Sequence, residues 1–341
     1  MTHRLLYLTA GIATGAAACV PAPEVDADRA ELLNCKPWGC GDNSPVLDNH
    51  GFHELHRRGR AMPNPDGLFI NVFRKGGSKY QIDLVGTNLV GRDAGGAVTL
   101  QNAALVGAII EVRSVRDPSF WYDLEIKQVT VGGAAYWQGP ATPLESYRIE
   151  YGGHGMGRET PLCDNPLTST VGQQGFMASI YDVVLFSGDR YDAKQKQVVA
   201  TGADASGWIN FGCAGGSLAK LLLNRHAPVA HVPGFETTPE RRQAMLKMFA
   251  ADYCGDGTPF THAGEPLAWR DAAAWVPAFP LATATHEAWW TERGATCLEI
   301  PRLDATTEPY LGDLEADIVR ACGGALPPAC SSLPEWPAQF G

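Results

Sequence analysis

The chain has 341 residues, 45% of them apolar and 19% charged, and a formal net charge of −10. That length supports one large or two modest domains with a real core, and the composition is that of a globular protein less charged than average. The acidic balance, without a lysine/arginine stripe to meet phosphates, argues against nucleic-acid binding and against electrostatic attachment to an anionic membrane.

The first element is a targeting segment. Arg4 supplies a small basic region, Leu5 to Thr14 is apolar, and Gly15-Ala16-Ala17-Ala18 leads to Cys19. The apolar run is well short of the roughly 20 residues that span a bilayer, so residues 1–18 read as a signal peptide. Ala16-Ala17-Ala18 fits a secretory cleavage site. Ala17-Ala18-Cys19 fits a lipoprotein site, with Ala16 where leucine is usual. Pro21, Pro23, Glu24, Asp26 and Asp28 follow as a polar tether, and Cys19 is the expected lipidation site.

Residues 19–66 show little periodicity and read as tether and surface loop. Within them Cys35-Lys36-Pro37-Trp38-Gly39-Cys40 is a tight loop able to close a local disulfide. His50, His53 and His56 surround Glu54, but the spacing is one residue short of the H-E-x-x-H zinc signature. A solvated loop cluster is the expectation there.

From Gly67 the pattern changes. Leu68–Phe73, Tyr80–Val85, Ala104–Val115, Trp121–Val131 and Tyr147–Tyr151 are strand-like runs with Gly, Asp and Pro between them. Residues 67–144 are therefore a β-rich region with short antiparallel connections. Gly152-Gly153-His154-Gly155-Met156-Gly157 reads as a flexible connection, because it lacks the strand-then-helix context of a dinucleotide loop. Ser179–Ser187 and Gln197–Thr201 read as another hairpin.

Two helices follow. Ser217 is positioned to cap Leu218–Arg225, and Thr237-Thr238-Pro239-Glu240 starts a second helix with a threonine cap, proline and an early acid. Ser217-Leu218-Ala219-Lys220 matches S-x-x-K, but no K-T-G completes such a site, so a cap and a surface lysine are expected. Met245, Met248, Phe249 and Asp252 share one face of the second helix, which puts Asp252 toward the packed side. There a carboxylate must be paired or hydrogen-bonded, and its expected partners are backbone N–H groups of the next loop. Gly255 is the expected left-handed end. A last helix spans Leu314–Cys322, and Cys322 and Cys330 flank glycines and prolines as a second local disulfide. Trp269, Trp275, Trp289 and Trp290 are expected in the core rather than on a sugar-binding surface. The fold class is α+β: an antiparallel β-rich N-terminal half, then a helical hairpin and short strands.

Ala251-Asp252-Tyr253-Cys254-Gly255-Asp256-Gly257 resembles the signature of the ADYC-domain family, exported or lipid-anchored bacterial (mainly myxobacterial) proteins whose biochemical role is unassigned. Trp208–Cys213 is similar to the family's strand into the first helix, and Thr258–Gly264 to a connection into a strand ending near Asp271. His286-Glu287-Ala288-Trp289 with Gly294-Ala295-Thr296-Cys297 resembles a later helix, near His286 to Glu292, and its turn. The likeness covers residues 145–302 and leaves 303–341 as a C-terminal extension. The family carries two further cysteines where this chain has Leu221 and Met245. The resemblance implies a hairpin stapled by a Cys213–Cys254 disulfide, which leaves Cys163 for Cys297.

Every catalytic pattern tried is incomplete, so no catalytic residue is assigned. No metal or cofactor is expected; calcium, for one, needs more oxygens than the Asp252–Asp256 loop offers. The function expected is a non-catalytic binding or structural module of the cell envelope, held to the membrane through its N-terminal lipid alone, with an envelope or extracellular protein or glycan as partner. The alternative is a secreted hydrolase with a site near His154, His262 and Asp252, joined by Asp256.

Overall fold

The computed structural model describes residues 45–47, 50–131, 144–153, 156–163, 182–193, 195–214, 216–224, 226–228, 237–261, 267, 269, 287–303 and 313–333. Its strands are β1 (Val46–Leu47), β2 (His50–Gly51), β3 (Glu54–His56), β4 (Leu68–Lys75), β5 (Ser78–Val85), β6 (Asn88–Arg92), β7 (Val98–Gln101), β8 (Ile109–Ser114) and β9 (Trp121–Thr130). They continue with β10 (Ser146–Gly153), β11 (Met156–Pro161), β12 (Asp182–Phe186), β13 (Asp189–Asp192), β14 (Gln197–Thr201) and β15 (Trp208–Cys213). Eleven of them form one sheet in the order β3-β15-β12-β10-β9-β8-β4-β5-β6-β7, with β11 beside β10. All its pairings are antiparallel. β9 pairs with β10, so one sheet holds both the strands from Leu68 to Thr130 and those from Ser146 onward.

Period-2 alternation decides which side chains meet. Val183, Leu185, Ile209 and Phe211 turn to one face and join Leu55, Phe73, Ile110, Leu124 and Ile149 in the larger core. Val184 and Phe186 turn to the other face, under α1 (Ser217–Leu223) and α2 (Pro239–Ala250), with Leu218, Leu222, Met245 and Phe249. The sheet curls until its ends approach. Leu89 N on β6 donates to the Tyr147 hydroxyl on β10 at 2.7 Å, and Arg57, just past β3, reaches Asp83 on β5 at 3.0 Å. Behind α2 lies a third cluster, built on Tyr253, Phe260, Leu298, Leu303, Leu314 and Ile318. It holds the hairpin of β16 (Ala288–Thr291) and β17 (Gly294–Leu298) against α3 (Leu314–Ala321).

The structure is α+β, as the sequence implied, but several elements differ. Residues 52–56 are buried rather than part of a surface loop. Phe52, Glu54 and Leu55 are fully buried, and His53 and His56 nearly so, because β3 is an edge strand packed on both faces. Gln197–Thr201 pairs with 189–192, while 182–186 belongs to the main sheet. The helix expected at 286–292 is the strand β16. Trp289, Trp290 and Thr291 suit a pleated surface, and Glu292-Arg293 turn into Gly294 at φ +110. Ser217 is the first helical residue of α1 behind Gly216 rather than its cap. α3 forms where expected, capped by Asp313 accepting from Ala316 N at 3.0 Å.

Three expected cysteine pairings are replaced. The disulfides are Cys163–Cys213, Cys254–Cys322 and Cys297–Cys330, so Cys213–Cys254, Cys163–Cys297 and the local Cys322–Cys330 do not form. Strand order explains the first. β12 and β11 lie end to end along one edge of β10, on Ser146–Arg148 and Glu150–Gly153. Cys163 leaves β11 where β12 begins, and Val183 of β12 pairs with Cys213. Cys254 instead meets Cys322 at the end of α3, and Cys297 of β17 takes Cys330, so residues 313–333 are pinned to the fold. Cys19, Cys35 and Cys40 lie outside the described residues.

Candidate functional site

The motif can be followed residue by residue. α2 begins as its sequence dictates, with Thr238 Oγ1 accepting from Arg241 N at 3.3 Å and Pro239 at the first helical position. It ends at Ala251, not Gly255. Ala251 takes the left-handed conformation (φ +49) with no exposed surface, and its N–H returns to the helix. Arg302 closes the same end from outside, its guanidinium donating to Met248 O at 2.6 Å and Phe249 O at 3.2 Å while pairing with Glu287.

Asp252 faces inward as the helical spacing implied. Its Oδ2 accepts from Gly257 N at 2.9 Å, the loop bond expected, and also from Lys247 Nζ at 2.6 Å. Lys247 donates further to Gln195 O at 2.8 Å and Gly255 O at 3.0 Å, which satisfies its ammonium. Burial pushes the Asp252 carboxyl above its usual range, against the pull of Lys247. Tyr253 is stacked between Phe260 and Trp290, with ring centroids 5.7 and 5.4 Å away. Its hydroxyl donates to Glu287 Oε1 at 2.6 Å and accepts from Arg302 N at 2.8 Å. Cys254 is bonded to Cys322. Gly255 sits where a Cβ would lie 2.0 Å from Arg293 O, so only glycine lets the loop meet the β16–β17 turn.

The same helix holds the β13–β14 hairpin with buried polar groups. Arg242 Nε and Nη2 donate to the two Asp189 oxygens at 2.5 and 2.7 Å, and Nη1 turns to the Thr237 and Ala227 carbonyls. Gln243 accepts from Val198 N at 2.6 Å and donates to Lys196 O at 2.6 Å. Lone buried charges would cost several kcal/mol; fork-to-carboxylate geometry offsets that.

A half-open cleft of about 520 Å³ lies at the other end of α2, where the curled sheet brings its ends together. Arg57, Asp83, Leu84, Trp208 and Pro239 line it, with the hydroxyl-bearing Ser187, Thr201 and Ser206. Trp208 is wedged between the Arg190 guanidinium, 3.8 Å from its ring, and the edge of His56. Arg190 is held in turn by Glu54 at 2.7 Å. His56 Nε2 donates to Ser206 O at 3.2 Å and its Nδ1 accepts from Arg58 N at 2.9 Å; burial lowers its pKa.

Of the residues named for a hydrolase, His154 and His262 lie outside the described residues. Asp252 and Asp256 do not line the cleft, and Asp256 is an exposed loop residue accepting from Thr258 N at 2.9 Å. Lys220 is not the surface lysine expected. It is half-buried, 5.9 Å from the Phe249 ring, and its pKa is pushed down to about 8 by burial, with Arg302 adding to the effect. Sequence reading missed Lys247, though its place five residues before an inward-facing Asp252 was a usable signal. Arg57, Arg190 and Trp208 carried none.

These features define a disulfide-stapled α+β domain protein with its signature loop buried at a helix end. The ADYC domain matches residues 83–304, about two-thirds of the chain, and the protein belongs to the ADYC domain family. No curated protein and no solved structure matches it. Three disulfides fit an oxidising compartment, periplasmic or extracellular. Among the described residues no helix is long and apolar enough to cross a membrane.

Proposed function

We propose that the protein is an exported cell-envelope binding or structural module, lipid-anchored through Cys19 and non-catalytic in its signature loop. The observation that carries this reading is the use made of Ala251-Asp252-Tyr253-Cys254: a helix end, a buried ion pair, an aromatic stack and a disulfide. Each residue has a structural partner, which leaves none exposed as a nucleophile or base. The apolar stretch before Cys19 and the disulfides support export, and the open cleft supports binding of an envelope or extracellular protein or glycan.

Labelled palmitate should enter the protein in cells and be lost on Cys19→Ala. A soluble product starting at Cys19 with a free amino group refutes the anchor. Turnover of an ester, peptide or glycan that vanishes in Asp252→Asn while stability persists refutes the non-catalytic reading and favours a hydrolase near His154, His262 and Asp252.

A further inference from the structure

We infer that the cleft between the two ends of the sheet binds a sugar-sized anion, a pyranose or similar hydroxylated body carrying one carboxylate or phosphate. This rests on the binding-module reading and names its ligand class. About 520 Å³ is within the range of small-molecule sites and suits one or two sugar rings.

The charge at its wall is the main argument. Asp83 is the sole carboxylate among the lining residues, and it is shared by two guanidiniums: Arg57 Nη1 at 3.0 Å on Oδ1 and Arg92 Nε at 2.8 Å on Oδ2. Their hydrogen bonds hold that carboxyl below its usual range although burial opposes them, so it is ionised near neutral pH and the trio keeps one positive charge. Arg242 also lines the cleft but is neutralised by both oxygens of Asp189. Arg57 is 46% exposed and, among the described contacts, spends a single guanidinium N–H on Asp83. Most of its donor fork therefore remains for an anion. A local cation on a chain of net charge −10 is a place where an anion is attracted against the general field.

The rest of the lining suits a hydroxylated body. Ser187, Thr201 and Ser206 bring hydroxyls, and Gly202 brings backbone without a side chain in the way. A Cβ on Gly202 would meet nothing within 4 Å, so the space in front of it is open. Leu84 and Pro239 give apolar surface of the kind that meets the C–H face of a sugar. A bare ion would use only the Arg57 wall, and a neutral sugar would leave that charge without a partner.

Titration calorimetry on the full chain with glucuronate, glucose 1-phosphate, glucose and inorganic phosphate tests this. At least one of the two sugar anions should saturate a single site, and which one does identifies the charged group. Arg57→Gln should weaken that binding about 10–100-fold, and Asp83→Asn, which removes the competing carboxylate, should strengthen it. The Arg57–Asp83 pair is surface-exposed and of little worth to stability, so Arg57→Gln folds; its melting curve checks this. Three results each overturn the inference: neither sugar anion binds at about 10 mM, a level that detects affinities near −4 kcal/mol; glucose binds as tightly as the anions; or Arg57→Gln binds unchanged. Failure here with palmitate labelling intact removes the cleft's ligand and leaves the anchored-module reading standing.

Discussion

Removing Asp252 should destabilise the protein by stranding a cation rather than by disabling a site. The Lys247 ammonium and the Asp252 carboxylate are 1% and 0% exposed and 2.6 Å apart. In Asp252→Ala the ammonium keeps Gln195 O and Gly255 O but loses its counter-charge, and Gly257 N loses its acceptor. Breaking a buried pair from one side costs about 3–5 kcal/mol. Two surviving carbonyls hold the loss toward the lower end, and the orphaned Gly257 amide adds about 1 kcal/mol or more. Replacing both partners by apolar residues, Lys247→Met with Asp252→Leu, removes the stranded charge and should recover most of the loss. Urea unfolding followed by tryptophan fluorescence on wild type, both single variants and the double variant closes the cycle. A cost below about 1 kcal/mol for Asp252→Ala, or additive single losses in the double variant, would refute this account of the motif.

Non-reducing peptide mapping should recover Cys163–Cys213, Cys254–Cys322 and Cys297–Cys330; a Cys213–Cys254 peptide would contradict the strand order. Tyr253→Phe keeps the ring stack but strips Glu287 and Arg302 N of a partner, and should cost about 1–3 kcal/mol in chemical unfolding. Lys220 has a folded pKa of about 8, below the 10.5 of an unfolded lysine. Between those values the unfolded chain binds more protons, so this residue makes stability rise with pH from about 8 to 10.5. Lys220→Met should stabilise the protein at pH 7 by about 1–3 kcal/mol and flatten that rise, as unfolding at pH 7 and pH 10 would show; an equal slope in the variant refutes the assignment.

What the sequence made legible is what local rules govern. Thr238, Pro239 and Glu240 announced α2, period-2 runs announced β4, β5, β9 and β10, and helical spacing turned Asp252 inward. The disulfides were illegible because pairing depends on strand order: Cys163 reaches Cys213 only because β11 and β12 divide the edge of β10. His53, Glu54 and His56 looked solvated because β3 is three residues long, and its burial comes from β15 and Arg190 far along the chain. At 286–292 the likeness to a helix outweighed a local signal that was present. Two adjacent tryptophans and a threonine before a glycine turn favour a strand, and Trp290 needs the strand's direction to lie on Tyr253. The cleft had no local signal, since its wall joins Arg57, Asp83 and Trp208 only after the sheet has curled.

The signature loop and the cleft sit at opposite ends of α2, whose 12 residues span about 18 Å at roughly 1.5 Å per residue. Pro239 and Arg242 border the cleft, while Ala251–Cys254 follow the last turn. Between them Arg242, Gln243 and Lys247 hold the hairpin that carries Asp189 and Gln195. A loop that fixed only its own end of the helix would need one staple, yet this end is fixed by a left-handed cap, an ion pair, a ring stack, a disulfide and the Arg302 clamp. Together these restraints fix the direction in which α2 meets the loop. Pro239 and Arg242 at the cleft and Ala251–Cys254 at the far end thus belong to, or directly follow, one stiff element.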